Sequence, residues 1–316
     1  MPSQVRLSVV TSMYRSARYL EEFHARVAAA ASRITESFEL VFVNDGSPDD
    51  SLAVALRLRA RDTRVRVVDL SRNFGHHKAL MTGIARAHGD LVFLIDCDLE
   101  EDPAWLERFH EELSATAVDV VYGVQSRRKG GTMERLTGAL FYRVLNRLLT
   151  DPVPANLVTA RLMTRRYVDA LVQHRDREVF LAGLFVAAGF QQRGVTVTKS
   201  GRGDSSYTVR RRLSLLVNAV TSFSNRPLVY IFYLGVVVMF VSTLAAAGLI
   251  VRALNRGIGV PGYASLMVSI WFLGGLTLLS LGVIGIYLAK VFNESKDRPY
   301  TIVQAEYGPE GPPPRS

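Results

Sequence analysis

At 316 residues and a formal net charge of +9, the chain is long enough for one catalytic domain of ordinary size and something more. The basic balance raises nucleic acid as a partner, but the sequence has no zinc-ligand spacing, aromatic RNA-binding motif or separate basic arm, so none is expected. A single cysteine, Cys97, excludes an intrachain disulfide and fits a cytoplasmic domain.

Residues 1–33 carry charges throughout and lack an apolar core, so no signal peptide is expected. The first part of the chain repeats strand and helix. Residues 5–11 are a β-branched run, and 17–32 are Ala-rich with apolar side chains at helical spacing. Strands are predicted at 38–43, 65–70, 91–96 and 118–124, and helices at 51–61, 77–87 and 103–115, the last with Pro103 in its first turn. Continuous apolar strands separated by helices predict an α/β fold with a mostly parallel sheet covered on both faces. Ligands of such sheets bind beyond the carboxyl ends of the strands. Residues 129–166 read as helical and basic, broken at Asp151-Pro152-Val153-Pro154, and 195–199 as a late strand.

Residues 227–251 and 257–289 contain no charge, and each run exceeds the ~20 apolar residues a helix needs to cross a bilayer. Arg210, Arg211, Arg212 and Arg226 precede the first run and Lys290, Lys296 and Arg298 follow the second, while only Arg252 and Arg256 lie between. The positive-inside rule therefore predicts a hairpin in the cytoplasmic membrane, with the catalytic domain and both termini in the cytoplasm. The expected organisation is a catalytic domain at 1–206, an amphipathic segment at 207–226, spans at 227–254 and 264–289 around an outer loop at 255–263, and a tail at 290–316. Leu213, Leu216, Val217, Val220 and Phe223 share one stripe of the amphipathic segment, which suits a helix on the membrane surface or one packed on the domain. The Gly- and Pro-rich end of the tail reads as disordered. Small residues in both spans, including Gly235, Gly274 and Gly285, permit close helix packing and hence a homo-oligomer.

Two segments after strands carry chemistry. After the second comes Asn44-Asp45-Gly46-Ser47, and after the fourth Asp96-Cys97-Asp98. Carboxylates one residue apart in an extended segment point to the same side, which is what Mg²⁺ or Mn²⁺ needs to bridge a diphosphate. A turn or helix cap is the plainer reading of either motif alone. Cys97 is expected to point the other way, into the core, with no chemical role.

Together with Ser71-Arg72-Asn73-Phe74-Gly75 after the third strand, Phe141-Tyr142-Arg143-Val144-Leu145-Asn146-Arg147, and Lys296-Asp297-Arg298-Pro299-Tyr300 after the apolar runs, these motifs resemble the GT-A glycosyltransferase fold. More closely the chain resembles the polyprenyl-phosphate sugar transferases: the dolichol-phosphate mannose synthase group, the bactoprenol glucosyltransferases and the undecaprenyl-phosphate aminoarabinose transferases. The resemblance implies a metal-dependent, inverting transfer from a nucleotide-sugar to polyprenyl phosphate at the membrane. It places Tyr14 and Asp45 on the donor nucleotide, Arg72 and Asn73 near its diphosphate, and Asp96 and Asp98 on metal and diphosphate, with Asp98 catalytic. Arg161 would grip either phosphate as a second catalytic residue. Arg143 and Arg147 share a helix face and would meet the lipid phosphate, or form a solvated basic face.

The departures from the family pattern are specific. The first strand ends Thr11-Ser12-Met13-Tyr14-Arg15-Ser16, keeping only the tyrosine of the usual motif. The family's acidic residue before Ala160-Arg161-Leu162 is Thr159, and a family lysine is Ser206. A phosphate acceptor, with a second pKa of about 6, is already ionised near neutral pH and needs no general base. Glu178 is either a base or a surface residue, and His76 and His77 either touch phosphate or do not. Two other readings compete: transfer to a glycan hydroxyl, against which the absence of a Q-x-x-R-W motif argues, and a catalytically decayed sugar-nucleotide-binding module.

Overall fold

The computed structural model describes residues 5–125, 146–148, 154, 156–200, 217, 220–221, 224–256 and 262–308. The β-branched runs pair side by side. Strands β1 (Leu7–Met13), β2 (Phe38–Asn44), β3 (Val65–Leu70) and β4 (Leu91–Leu94) lie in the order β3-β2-β1-β4, all parallel. They are buried on both faces, which is why their sequences are continuously apolar rather than alternating. Helices α1 (Ala17–Ser32), α2 (Ser51–Arg61) and α4 (Trp105–Ala115) send Leu20, Phe23, Val27, Val54, Leu58, Leu106 and Phe109 into one core with the sheet. Each such side chain contributes ~1.5–3 kcal/mol by leaving water. Helix α3 (His76–Ala85) packs on β1, β2 and β4, where Gly83 lets Val10 and Val43 approach closely.

Beyond β4 the sheet becomes mixed. Strand β5 (Val120–Gln125) is followed by β6 (Leu157–Thr164), which inserts antiparallel between β4 and β5. The helical expectation for 129–166 is therefore corrected at 157–164. Enclosed by two strands, β6 buries residues on both faces and lacks the alternation that marks a half-exposed strand. Of the rest of that expectation, 146–148 and 165–166 are helical, 154 and 156 are not, and the remainder lies outside the described residues. Strand β7 (Gln192–Val197) pairs parallel with β5 at one edge, starting three residues before the predicted position.

The opposite edge is a second correction. Residues 303–307, expected as part of a tail, form β8 (Val303–Tyr307), antiparallel to β3. Thr301 Oγ1 lies 2.8 Å from Thr82 Oγ1, the Ser71 amide donates to the Ile302 carbonyl at 3.0 Å, and Glu306 pairs with Arg86. Residues 309–316 lie outside the described residues.

The chain divides into two compact units, and β8 belongs with the sheet. The second unit holds helices Arg226–Arg256 and Tyr263–Ser295, each containing a stretch long and apolar enough to cross a membrane. Neither stretch is buried, and Trp271 is 75 % exposed. Most of the amphipathic segment expected at 207–226 lies outside the described residues.

At the amino ends of the strands, Glu39 is a buried clamp. Its carboxylate accepts from Ser8 Oγ at 2.6 Å and the His88 amide at 2.7 Å, and pairs with Arg66 at 3.0 Å. Burial pushes its pKa up, but these three donors outweigh burial and leave it below the ordinary 4.5. Glu39→Ala leaves the Ser8 hydroxyl and the His88 amide without their acceptor and the half-buried Arg66 without its carboxylate. It should destabilise the domain by ~1–3 kcal/mol for each buried donor left unpaired, with Glu39→Gln milder. Because the folded pKa is depressed, this contribution is present above 4.5 and is lost as pH falls below it. Denaturant unfolding of both variants at neutral and acid pH checks this, the gap between wild type and Glu39→Ala closing in acid.

Candidate active site

The carboxyl ends of β1, β2 and β4 open on one cleft lined by Ser12, Tyr14, Asp45, Asn73, His76, Asp96 and Asp98 among others. The structure thus brings together five of the sequence-predicted residues: Tyr14, Asp45, Asn73, Asp96 and Asp98. Asp45 follows β2, and its backbone amide donates to the Met13 carbonyl at 3.1 Å. Its carboxylate accepts from the Phe74 amide at 2.7 Å and the Gly75 amide at 3.0 Å, so it clamps the loop that follows β3. Gly46 makes that approach possible. It sits at φ +58°, and a Cβ there would lie 2.4 Å from Arg72 carbonyl carbon and Asn73 nitrogen. Arg72 is exposed; its guanidinium lies 4.1 Å from the Phe74 ring and donates to the Asn73 carbonyl at 3.1 Å.

The acidic pair lies in the turn after β4, where Leu99 takes a positive φ of 62°. Asp96 is held from two sides. Thr159 Oγ1 donates to Oδ2 at 2.7 Å, and His76 Nε2 stands 3.3 Å from Oδ1. His76 Nδ1 in turn meets Ser12 Oγ at 2.9 Å. Among the described residues Asp98 accepts only the Glu100 amide, at 3.0 Å. Cys97 points away as expected, its buried thiol donating to the Ser12 carbonyl at 3.2 Å, with burial raising its pKa to about 12.

Burial raises the pKa of Asp98, and the neighbouring Asp96 charge adds to it. Burial also raises that of Asp45, despite its two amide bonds. Asp96 runs the other way: burial is outweighed by His76 and Thr159, and its pKa falls. His76 rises correspondingly, because Asp96 outweighs the burial that disfavours its charged form. Asp98 is therefore the carboxylate short of positive charge. A hard divalent ion held by one or two carboxylates, its other positions filled by substrate oxygens, fits this donor set. Among the described residues no group of three or more His, Cys, Asp or Glu gathers to enclose an ion unaided.

A second acidic element escaped the sequence reading. Glu101 is fully buried beside this pair; its Oε1 accepts the Thr159 amide at 2.9 Å and lies 3.0 Å from Lys199 Nζ, while Oε2 has no hydrogen-bond partner. Burial raises its pKa to about 7. In sequence, Glu100-Glu101-Asp102 looks like a solvated turn, and Lys199 lies far along the chain, so nothing linked them. Thr159, read as a missing acid, instead bridges Asp96 and Glu101.

Arg161, Glu178 and His77 do not line the cleft. Arg161 is 3 % exposed, its guanidinium carbon 3.3 Å from the centroid of the Phe185 ring, and it lines a different pocket. Its place two residues from Thr159 suggested a shared site, but it lies deeper in the sheet, opposite Leu94 and Tyr122. Glu178 is exposed in the loop before helix Leu181–Ala187. His77 turns towards the Val179 carbonyl at 3.3 Å and the Phe180 ring. Arg147 is exposed in the second unit, where its carbonyl accepts from Arg226 at 2.6 Å. Arg143 and Ser206 lie outside the described residues.

If Asp45 is the clamp, Asp45→Ala releases two amides bound to a charged acceptor, each such bond worth ~1.5–3 kcal/mol. Amide hydrogen exchange at Phe74 and Gly75 should accelerate at least about tenfold, while exchange in β1 and β2 stays slow. Unchanged protection at Phe74 and Gly75 would mean that the loop holds itself.

Residues 8–172 match the family model described as glycosyl transferase family 2. Over 304 residues the chain is 51 % identical to a glycosyltransferase of Mycobacterium tuberculosis (strain CDC 1551 / Oshkosh), covering 96 % of this chain and 89 % of that one. It is 32 % identical over 304 residues to the bactoprenol glucosyl transferase of Shigella phage SfV, covering 96 % and 99 %. Among solved structures, the mannosyltransferase PcManGT from Pyrobaculum calidifontis, in complex with GDP-Man and Mn²⁺, superimposes with a TM-score of 0.50 at 18 % identity, covering 94 % of this chain and 89 % of that one. That likeness bears on the fold, which is of the expected GT-A type. The matched segment runs from β1 past β6 and contains Asp45, Asp96, Asp98 and Thr159, and this chain belongs to glycosyl transferase family 2.

Proposed function

We propose that this chain transfers a sugar from a nucleotide-sugar to polyprenyl phosphate, with inversion, at the cytoplasmic face of a membrane. The observation that carries this reading is the pairing, in one chain, of an acidic cleft short of positive charge with two unburied apolar helices. A cleft of that charge suits a cation with a diphosphate, and such helices suit a lipid acceptor. Similarity along nearly the whole chain to a bactoprenol glucosyl transferase supports the same assignment.

The donor nucleotide lies against Tyr14, which is 45 % exposed at the cleft. The Asp45-clamped loop presents Asn73, with Arg72 beside it, to the diphosphate. Asp98, assisted by Asp96, would hold Mg²⁺ or Mn²⁺, which when bound supplies Lewis-acid stabilisation of the leaving diphosphate. His76, whose charged form Asp96 favours, and Lys199 add positive charge on the same side. An oxygen of the lipid phosphate forms the new bond to the anomeric carbon opposite the leaving group. The bond to the nucleoside diphosphate breaks, and that group departs with the electron pair. The acceptor arrives ionised, so the hydroxyl of Thr159 in place of a carboxylate does not impede the step. Positioning and charge stabilisation suffice. Arg143 and Arg147 are proposed for the lipid phosphate; Arg161, lining a separate pocket, is left out of the step.

The topology proposed is a hairpin with both ends in the cytoplasm. Strand β8 belongs to the same sheet as β1, which supports an even number of crossings between them. A small homo-oligomer through the glycine-bearing helix faces is compatible with this arrangement.

Labelled nucleotide-sugars incubated with the protein and undecaprenyl phosphate should give one sugar per lipid in the organic phase, released by mild acid. Asp98→Asn should remove at least about 99 % of this product and Asp96→Asn most of it, since a ligand to the cation is lost. Thr159→Asp should bring no gain. Product untouched by EDTA, or a sugar that resists mild acid, contradicts the reading. Reporters fused at Ser3 and Ser316 should both read cytoplasm and one at Gly259 the outside; a C-terminal reporter on the outside contradicts the hairpin.

A further inference from the structure

A second cavity of about 260 Å³ shares none of its lining residues with the carboxylate cleft. Its walls come from β5, β6, β7 and helix Leu181–Ala187 with the turn after it, and are mostly apolar: Leu157, Phe185 and Phe190, with Tyr122 and Gln192 as polar members. Arg161 is the one charged residue among the described residues lining it.

The state of Arg161 is the unusual feature. It is 97 % buried, since only 3 % of it is exposed, yet it has no ion-pair partner within 4.0 Å among the described residues. Its guanidinium lies on the face of Phe185, with a long bond of 3.4 Å from Nε to the Thr159 carbonyl. Glu101, the buried acid whose charge acts on Arg161, is paired with Lys199 at 3.0 Å. Removing a guanidinium from water without a counter-charge costs several kcal/mol, and buried charges are ordinarily paired. Burial accordingly lowers the Arg161 pKa to about 10, which still leaves it charged at neutral pH. A ring face recovers part of this cost, ~2 kcal/mol at best when desolvated. The remaining donors of the guanidinium fork match the two oxygens of a carboxylate or phosphate.

We infer that this cavity is a binding site for a small acidic amphiphile, whose carboxylate or phosphate head pairs with Arg161 and whose short apolar body rests on Leu157, Phe185 and Phe190. The volume lies below the ~300–1,000 Å³ typical of pockets for drug-sized ligands, so the body is a few carbons long. The wall composition disfavours a bare inorganic anion, which leaves the apolar surface unused. The site stands on its own geometry and does not depend on the identity of the sugar acceptor. It has one route to the cleft, because Arg161 and Thr159 sit on the same strand and Thr159 holds Asp96.

Isothermal titration of the full-length protein in detergent with n-butyl phosphate, butyrate, inorganic phosphate and butylamine tests this. Butyl phosphate or butyrate should bind saturably, at least tenfold more tightly than inorganic phosphate, with no binding of butylamine. Arg161→Met should weaken that binding at least tenfold while keeping the wild-type melting temperature or raising it, because an unpaired buried cation is replaced by an apolar side chain of similar length. Ala182→Leu, which fills the cavity and leaves Arg161 in place, should weaken it as well. Asp98→Asn and saturating nucleoside diphosphate with Mn²⁺ should leave it unchanged. Absence of saturable binding of both acids, or equal binding in Arg161→Met, overturns the site. Inorganic phosphate binding as well as butyl phosphate overturns its amphiphile class, and displacement by nucleoside diphosphate overturns its separation from the cleft.

Discussion

Carboxylates drawn together at the edge of a sheet repel one another and lose water, and this repulsion organises the site. Asp45, Asp96, Asp98 and Glu101 all lie around the carboxyl ends of β2 and β4, and burial raises the pKa of three of them. The fold meets each charge with a different device. Two loop amides serve Asp45, a histidine and a threonine hydroxyl serve Asp96, and a lysine from beyond β7 serves Glu101. Among the described residues Asp98 receives one amide and has no ion-pair partner. Asp98 is thus left with the fewest donors of the four, and a divalent cation with its diphosphate is the complement we propose.

The same interactions explain why the loops sit where they do. The loop after β3 is not an independent element; it is pinned to the turn after β2 by the Asp45 carboxylate and by the close approach at Gly46. His76 opens α3 from that loop, so its ring reaches both Ser12 at the end of β1 and Asp96 after β4. Two strand ends are tied by one histidine. Strand β8 acts at the far edge, where it pairs with β3 and itself becomes the edge strand. It also returns the chain to the domain after the two apolar helices.

Much of this was legible in the sequence for a physical reason. Parallel strands covered on both faces are continuously apolar and β-branched, so β1 to β4 and the carboxylates after them stood out. What failed were features set by distant partners. Strand β6 is enclosed by β4 and β5 and shows no alternation, so its mixed residues blended into a helical neighbourhood. Strand β8 is short and takes its identity from β3 alone. Arg161 shows the limit of motif spacing, which places it near Thr159 but says nothing of its depth in the sheet, where it lies against Phe185. Glu101 and Lys199 are 98 positions apart, and only the folded chain joins them.

The most direct test of the charge-deficit account is titration of Mn²⁺ followed by electron paramagnetic resonance, with and without a nucleoside diphosphate. Asp98 and Asp96 alone leave most coordination positions to other ligands. The account therefore predicts weak Mn²⁺ binding to the protein alone, strengthened at least about tenfold by the diphosphate and lost in Asp98→Asn. Tight binding without the nucleotide, or nucleotide-assisted binding that survives Asp98→Asn, would contradict it.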